Sequence, residues 1–514
     1  MISAQRQWIL LLAGISIFLA LGVHFLNQTP DDVFITLRYA ANLAAGHGPV
    51  YNVGERVEGF SNPLLLVLLA LLHLLMSDPR ALVLAAKGLG LLAGLLTLLA
   101  LYALARRDPE GADFRGWPPL LFALAGYPAL WAASGMETAL HALLIVVALG
   151  GYLRALETGR KAWRVLAGPL FALVALSRPE GIVFLFAALL ARALLLWRDK
   201  RKPDAADAGF LALALAPILL YFLWRHSFYG AWWPNTFYAK ASAGPATYAD
   251  GLRYLLPAIG ATLWGNALLL PLLLLGLLPW KKTSPRTLLL LLGIGAQAGF
   301  VVLGGGDWML GWRFAVPAMA PVALLAPTIL ARLRDALHRQ RLAEWFAGAR
   351  GWIFLLALAL PFAVNLYAVK QLGVRPSGWR GPTAHLFVDE SYPAVADYLN
   401  THRQPGDRLA TGEAGAIVYL TGLPTIDCFG LTDAHLARVP GKRHEKVDPD
   451  YILGRRPTWL VIGGVAGPDD APTSYFAYGR SLLAHPAVKE NYRPVLRRDS
   501  FLVLQRRPAA VADE

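Results

Sequence analysis

From its first residues to about residue 370 the chain is a succession of Leu- and Ala-rich stretches separated by short loops that hold most of its arginines and lysines. Roughly 20 apolar residues in a helix match the ~30 Å hydrocarbon core of a bilayer, where each spanning segment must satisfy its own backbone polar groups. The pattern therefore predicts a polytopic α-helical membrane protein. Candidate spans are residues 8–26, 81–105, 117–133, 138–155, 163–177, 181–197, 208–225, 256–279, 286–303, 314–331 and 351–369, about 11 in all by the length criterion. The first lacks an A-x-A-like cleavage site and reads as an uncleaved helix. The apolar run Leu64 to Met76 covers only roughly 21 Å as a helix. It is read as a juxtamembrane or re-entrant helix of the first external loop.

Charge fixes that reading. With Leu64 to Met76 not crossing, Arg6 shares a side with Arg106, Arg107 and Arg115, with Arg154, Arg160, Lys161 and Arg164, and with Arg198, Lys200, Arg201 and Lys202. Lys281, Lys282, Arg286 and the basic stretch 331–341 fall on the same side. This obeys the positive-inside rule throughout, whereas a crossing would invert every later loop. It predicts a cytoplasmic N-terminus, a transmembrane domain over 1–370 with a large first external loop at 27–79, and an external domain over 371–514. The formal charge of +14 is then a record of topology against the lipid bilayer, and nucleic-acid binding is not implied. A single cysteine, Cys428, excludes an intramolecular disulfide and a thiolate zinc site.

Beyond residue 371 the composition becomes that of a soluble domain. Short β-like runs at 408–411, 425–429, 459–462 and 501–504 alternate with helical stretches at 393–402, 432–439 and 475–484, which predicts a small α/β domain. It carries no G-x-G-x-x-G or Walker sequence and is not read as a nucleotide site.

The polar loops gather on the external side. Thr29 to Pro63 is the longest, and its Asp31 and Asp32 are adjacent carboxylates. Thr29, Pro30 and Asp32 suit a capping box opening an amphipathic helix to about Ala45, with Asp31, Arg38, Tyr39 and Asn42 on one face and Val33, Phe34, Leu37, Ala41 and Ala44 on the other. Such a helix is expected to lie flat on a membrane surface and to point an acid and a guanidinium into one polar space. The plainer alternative is that the two acids only complement the helix dipole. The remaining loops are SGMET at 134–138, SRPEG at 177–181, RHSFYGAWWPNTFYAK at 225–240 and GGGDWMLGWR at 304–313. Ionisable groups near membrane depth are expensive, which favours a working role for them.

The run DDVFITLRYAANLAAGHGPVYNVGERVEGFSNPL, followed in order by SGMET, SRPEG, WWPNTFYAK, GGDWMLGWR and GEAGAIVYLTGLPTIDCFGLTDAHLAR with RHEK, resembles the GT-C glycosyltransferases that take sugars from polyprenyl phosphates. The likeness is greatest to the bacterial branch with the mycobacterial terminal arabinofuranosyltransferases and the pilin arabinosyltransferases, and it covers nearly the whole chain. Pro49 stands where an aliphatic residue is expected. The resemblance implies a transferase of a bacterial inner membrane whose first external loop supplies the catalytic acid. Its donor would be a polyprenyl-phosphate-linked sugar, and its acceptor a glycan or protein hydroxyl. A phosphate-activated sugar needs no general acid for departure, so one carboxylate can suffice. On that basis Asp31 is the expected base, with Asp32 its partner. Arg178, Lys240 and Arg313, backed by Arg38 and Arg225, are expected at the donor phosphate. Glu137, Glu180, His47, Glu58, Asn235, Asp307 and Trp308 are expected around sugar and acceptor, with structural pairing to the cations of these short loops as the alternative for Glu137, Glu180 and Asp307, above all for Glu180 beside Arg178. Trp232, Trp233, Trp308 and Trp312 suit either sugar stacking or an interfacial belt.

His444, Glu445 and Lys446 carry no assigned role. Some members of this fold family use a divalent cation, and Asp31 and Asp32 offer suitable oxygens. The sequence shows no complete ligand set and implies no other cofactor. A transporter or flippase of lipid-linked sugars is the alternative class. Against it stand polar motifs confined to one side and the absence of inverted repeats. An envelope-assembly scaffold would account for the external domain but not for the acids of the first loop.

Overall fold

The computed structural model describes residues 4–240, 244–264, 283–309, 311–339, 388–441, 445–468 and 471–508. The chain divides into two compact units. The first comprises Met1–Asn27, Ala86–Tyr221 and Gly244–Arg375; the second comprises Gln28–Ala85, Phe222–Ala243 and Pro376–Glu514. The sequence places 27–79 with the transmembrane segments, whereas the structure groups the first loop with the C-terminal residues. The expected boundary at residue 371 and the expected span at 351–369 lie outside the described residues, as does most of 256–279.

Among the described residues, six helices are long and apolar enough to cross a membrane: Gln5–His24, Pro79–Ala105, Thr138–Thr158, Pro179–Arg198, Ala205–Tyr229 and Pro285–Gly304. The protein is a multi-pass membrane protein. The helix Lys161–Ser177 and the helix Val316–Arg339 occupy two further expected spans. One expectation fails. The span predicted at 117–133 is two short helices, Trp117–Leu124 and Tyr127–Ala133. Gly126 breaks it by adopting a left-handed φ of 75°, open to glycine without a Cβ penalty, and Pro128 in the next turn cannot continue a preceding helix. The Leu64 to Met76 run forms the helix Pro63–His73, 11 residues long, which is too short to cross.

The second unit is built on a five-stranded mixed sheet. Its strands are β1 (Leu409–Thr411), β2 (Thr425–Asp427), β3 (Trp459–Ile462), β6 (Tyr492–Arg498) and β7 (Phe501–Arg506), with β4 (Val465–Ala466) and β5 (Thr473–Ser474) forming a separate hairpin. The order is β2-β1-β3-β7-β6. β1 runs parallel to β2 and β3, while β7 is antiparallel to both β3 and β6. Ala410, Ile426, Cys428, Leu460, Ile462, Tyr478, Leu502 and Leu504 fill its core.

Two parts of this sheet escape the sequence pattern. β6 reads YRPVLRR, whose proline and arginines argue against a strand, yet an edge strand tolerates both. The ladder slips there, between Pro494 and Leu496. The helix expected over 432–439 shrinks to a single 3₁₀ turn, Leu436–Arg438. The Asp433 carboxylate accepts the His435 and Leu436 N–H groups, which fixes a turn in place of a helix.

Candidate active site

In the second unit the helix Asp32–Ala44 starts two residues later than a Thr29 cap would require, and the expected capping box does not form. The Asp31 carboxylate is turned elsewhere. Its Oδ2 accepts the Gly415 N–H at 2.8 Å and its Oδ1 accepts the Ala416 N–H at 2.6 Å. Those amides open the short helix Ala416–Thr421, which directly follows β1. Gly415 is required by close approach, since a Cβ there would collide with the Asp31 carbonyl and carboxylate. Burial raises the Asp31 pKa and the charges of Asp32 and Asp427 raise it further, against the two amides that lower it, to about 7. Asp31 keeps some solvent access. Asp32 is similarly half-buried, and its carboxylate makes no hydrogen bond among the described residues.

The helix does not lie as a free amphipathic surface helix. Residues Val33 to Ala40 are all buried. Arg38 donates to the carbonyls of Tyr51, Val418 and Leu423 at 2.8 to 2.9 Å, with a longer bond to Asn52 Oδ1. A guanidinium has five N–H donors. Four contacts to this chain's own oxygens make Arg38 a clasp instead of the second cation expected behind a phosphate. Asn52 adds a two-way pairing with Thr425, donating to its carbonyl at 2.8 Å and accepting its N–H at 3.0 Å. It thereby covers the outer edge of β2, which would otherwise expose unpaired backbone.

Other predicted residues of this unit are also internally engaged. Glu58 and Arg225 form a buried ion pair at 2.8 Å. Asn235 Nδ2 donates to the carbonyls of Gly430, Leu431 and Asp433, and its Oδ1 accepts from Arg438. Lys446 is buried, with Nζ donating to the carbonyls of Tyr238 and Ala437 at 2.7 Å. His47 is exposed on its glycine-flanked turn and Lys240 is half-buried. Trp232 stacks on His226 with ring centres 4.0 Å apart. His444 lies outside the described residues.

Sequence reasoning missed two acids here. Glu413 and Asp427 sit at the carboxyl ends of β1 and β2, both buried. Glu413 Oε2 accepts the Tyr478 hydroxyl at 2.9 Å and the Thr411 hydroxyl at 3.3 Å. Burial pushes its pKa up to about 7, with the Asp31 charge adding to the rise. Asp427 accepts the N–H groups of Phe429 and Thr432, and burial raises it to about 6. The available signal was positional. In open α/β sheets functional groups collect at the carboxyl ends of parallel strands; Glu413 stands two residues beyond one predicted strand and Asp427 within another.

The first unit holds a different cluster. Arg178 donates to Glu137 through Nη1 and to Glu180 through Nε, with all three side chains buried. Arg313 pairs with Asp307 at 2.8 Å and donates to Met136 Sδ. Both guanidiniums lie about equally close to the Phe314 ring, 5.2 Å from its centre. The cluster is thus assembled from three predicted loops, SGMET, SRPEG and GGGDWMLGWR. Two arginines meet three carboxylates, so Glu137, Glu180 and Asp307 take the pairing that was one of their two expected roles. The Nη2 groups of Arg178 and Arg313 nevertheless make no hydrogen bond among the described residues. Trp308 is half-buried in the same loop as Asp307.

Among the described residues no three His, Cys, Asp or Glu side chains converge as a metal-holding group. At Asp31 both oxygens face N–H hydrogens. The donor set around Asp31 and Asp32 does not fit a divalent cation.

Comparison with known proteins agrees with this architecture. A family model described as a domain of unknown function (DUF8728) matches residues 384–510. The chain is 30% identical over 406 residues to the terminal beta-(1->2)-arabinofuranosyltransferase of Corynebacterium glutamicum, covering 70% of this chain and 54% of that protein. It is 28% identical over 380 residues to the enzyme of the same name from Mycobacterium tuberculosis, covering 63% and 56%. The chain thus spans about half the length of the curated relatives it matches. Among solved structures, ArnT from Cupriavidus metallidurans bound to undecaprenyl phosphate is similar with a TM-score of 0.61 at 15% identity, over 99% of both chains. The oligosaccharyltransferase AglB of Archaeoglobus fulgidus, in complex with an inhibitory peptide and a dolichol-phosphate, has a TM-score of 0.56 at 14% identity, over 89% of this chain and 69% of that one. The structural likenesses establish the fold, and the curated relatives bear out the resemblance read from the motifs.

Proposed function

We propose that this chain, which carries the GT-C fold of membrane glycosyltransferases and resembles the terminal arabinofuranosyltransferases, transfers arabinofuranose from a polyprenyl phosphate to a hydroxyl of an envelope glycan or pilin-like protein. Asp31 takes the proton of the acceptor hydroxyl. The acceptor oxygen then forms a bond to the anomeric carbon as the bond to phosphate breaks, the phosphate leaves with the electron pair, and the anomeric centre inverts. The observation carrying this reading is the setting of Asp31: a half-buried carboxylate fixed by two amides, with its pKa raised to about 7. A base poised near the working pH is the most effective one. The unspent Nη2 groups of Arg178 and Arg313, with Lys240, are assigned to the leaving phosphate, where a planar fork or a point charge suits its oxygens. Glu137, Glu180 and Asp307 orient those arginines, and His47 and Trp308 remain for sugar and acceptor. Arg38, Arg225, Glu58 and Asn235 are assigned to holding the second unit together. The transfer is placed outside the inner membrane, with a cytoplasmic N-terminus and residues 371–514 external, on the charge pattern of the loops.

The test is sugar transfer by purified Asp31→Asn and Asp32→Asn variants, with thermal unfolding measured alongside. Asparagine turns an NH₂ toward one of the two amides, so some loss of stability is expected at position 31. In the folded variant, transfer falls by about a hundredfold to ten-thousandfold, the scale of a lost general base, while donor binding survives. Near-native transfer by Asp31→Asn with an inactive Asp32→Asn reverses the assignment. Activity in both removes it.

A further inference from the structure

The parallel part of the sheet has a topological switch. From β1 the chain passes to β2 on one side and then crosses to β3 on the other. A crevice forms outside the carboxyl ends of strands at such a point, and it is where open α/β domains place their ligands. Here it is occupied from within the unit. Glu413, two residues beyond β1, lies against Gly463, directly beyond β3, and a Cβ on Gly463 would collide with the Glu413 carboxylate. Tyr478 bridges the two, donating its hydroxyl hydrogen to Glu413 Oε2 and accepting the Gly463 N–H at 2.9 Å. The Glu413 backbone N–H bonds back to the Thr411 hydroxyl at 3.2 Å, and Tyr51 donates to the Ala414 carbonyl. These contacts fix residues 411–414 on both flanks. The next two amides, Gly415 and Ala416, are the ones that hold Asp31. Glu413 Oε1 accepts no hydrogen bond among the described residues, so this acid is seated by shape and by one face of its carboxyl group.

We propose that Glu413 is a positioning residue for Asp31: anchored at the switch point of the C-terminal sheet, it fixes the turn whose two amides aim the Asp31 carboxylate. The proposal rests on the reading of Asp31 as the base. It gives a role to the region matched by the domain of unknown function, which completes the setting of an acid supplied by a distant part of the chain. The charged and titratable groups bearing on Glu413 are Asp31, Tyr478 and Cys428. Asp32 and Asp427 bear on Asp31.

The full-length protein would be assayed for transfer from a polyprenyl-phosphate arabinofuranose to an arabinose-terminated oligosaccharide between pH 5 and 9. Glu413→Ala loosens the turn. Asp31 then loses amides that favour its ionised form, so kcat falls about ten- to a hundredfold and the acid limb of the profile moves up by about one pH unit, with donor KM within twofold. Glu413→Gln keeps an acceptor for Tyr478, and it recovers most of the rate and returns the limb toward its native position. Tyr478→Phe removes one hydroxyl and no carboxylate. It moves the limb the same way by less, and it keeps the question answerable if Glu413→Ala does not accumulate. A lower kcat with an unmoved acid limb in all three variants would overturn the proposal, because loss of folded protein scales the profile without shifting it. A native profile in all three would overturn it equally. Native-rate transfer by Asp31→Asn would instead remove the base itself, whatever Glu413 does.

Discussion

The acid cluster of the first unit and the acids around Asp31 in the second are held by opposite means. In the first, Glu137, Glu180 and Asp307 are neutralised by Arg178 and Arg313, so each charge depends on a partner of fixed opposite charge. In the second, Asp31, Glu413 and Asp427 have no cation against their carboxylates among the described residues and are held by backbone amides and hydroxyls. Amides orient a carboxylate without pinning its protonation. Guanidiniums pin both. The difference suits a permanent electrostatic frame in one cluster and, in the other, the proton acceptor proposed for Asp31.

Removing one partner from the arginine frame should have the largest effect. Arg178→Met leaves Glu137 and Glu180 as buried charges and should cost about 3–5 kcal/mol, read as a fall in the thermal midpoint of the purified protein. Adding Glu137→Gln and Glu180→Gln should restore most of it; a midpoint unchanged by Arg178→Met would erase the contrast between the units.

The second unit should instead show its character in pH. Asp31 and Glu413 are raised to about 7 and Asp427 to about 6. Between their unfolded and folded pKa values the folded chain binds more protons than the unfolded one. Their contribution is therefore whole below about pH 4 and is lost as pH rises through 7, by at most about 1.4 kcal/mol per pH unit for each proton. Hydrogen-exchange protection of peptides covering residues 409–427, corrected for intrinsic rates, should weaken over that range, and Glu413→Gln should flatten the trend. The smallest effect belongs to the sheet edge. Asn52→Ala unpairs Thr425 and should cost about 1–2 kcal/mol, seen as faster exchange in β2 with little change in β3.

Much of this was legible in the chain. Apolar length located most spans because the bilayer leaves few alternatives, and the motif loops named all five members of the arginine–carboxylate cluster. Pairing was legible within a loop, where Glu180 stands two residues from Arg178, but its reach was not: nothing in SRPEG says that Arg178 also holds Glu137 from a loop 41 positions away. The Asp31 loop misled for a related reason. Local spacing favoured a capping box and a free polar face, but the amides of Gly415 and Ala416 and the carbonyls around Arg38 lie far away in sequence, and they won. Gly126 could have been read as a break, since a glycine two residues before Pro128 is a strong interruption. β6 could not, because its edge position excuses a composition that would exclude it from a sheet interior.

The bonds between Asp31 and its two amides close over 384 and 385 positions of chain. At ~5–20 residues per second, a ribosome reaches Gly415 on the order of 20 to 80 seconds after it has made Asp31. For that interval the acid exists without the amides that aim it. A truncated or still-growing chain then holds its arginine–carboxylate cluster before it holds an oriented Asp31 carboxylate, and under the role proposed for Asp31 sugar transfer would have to wait until residues 415 and 416 are made.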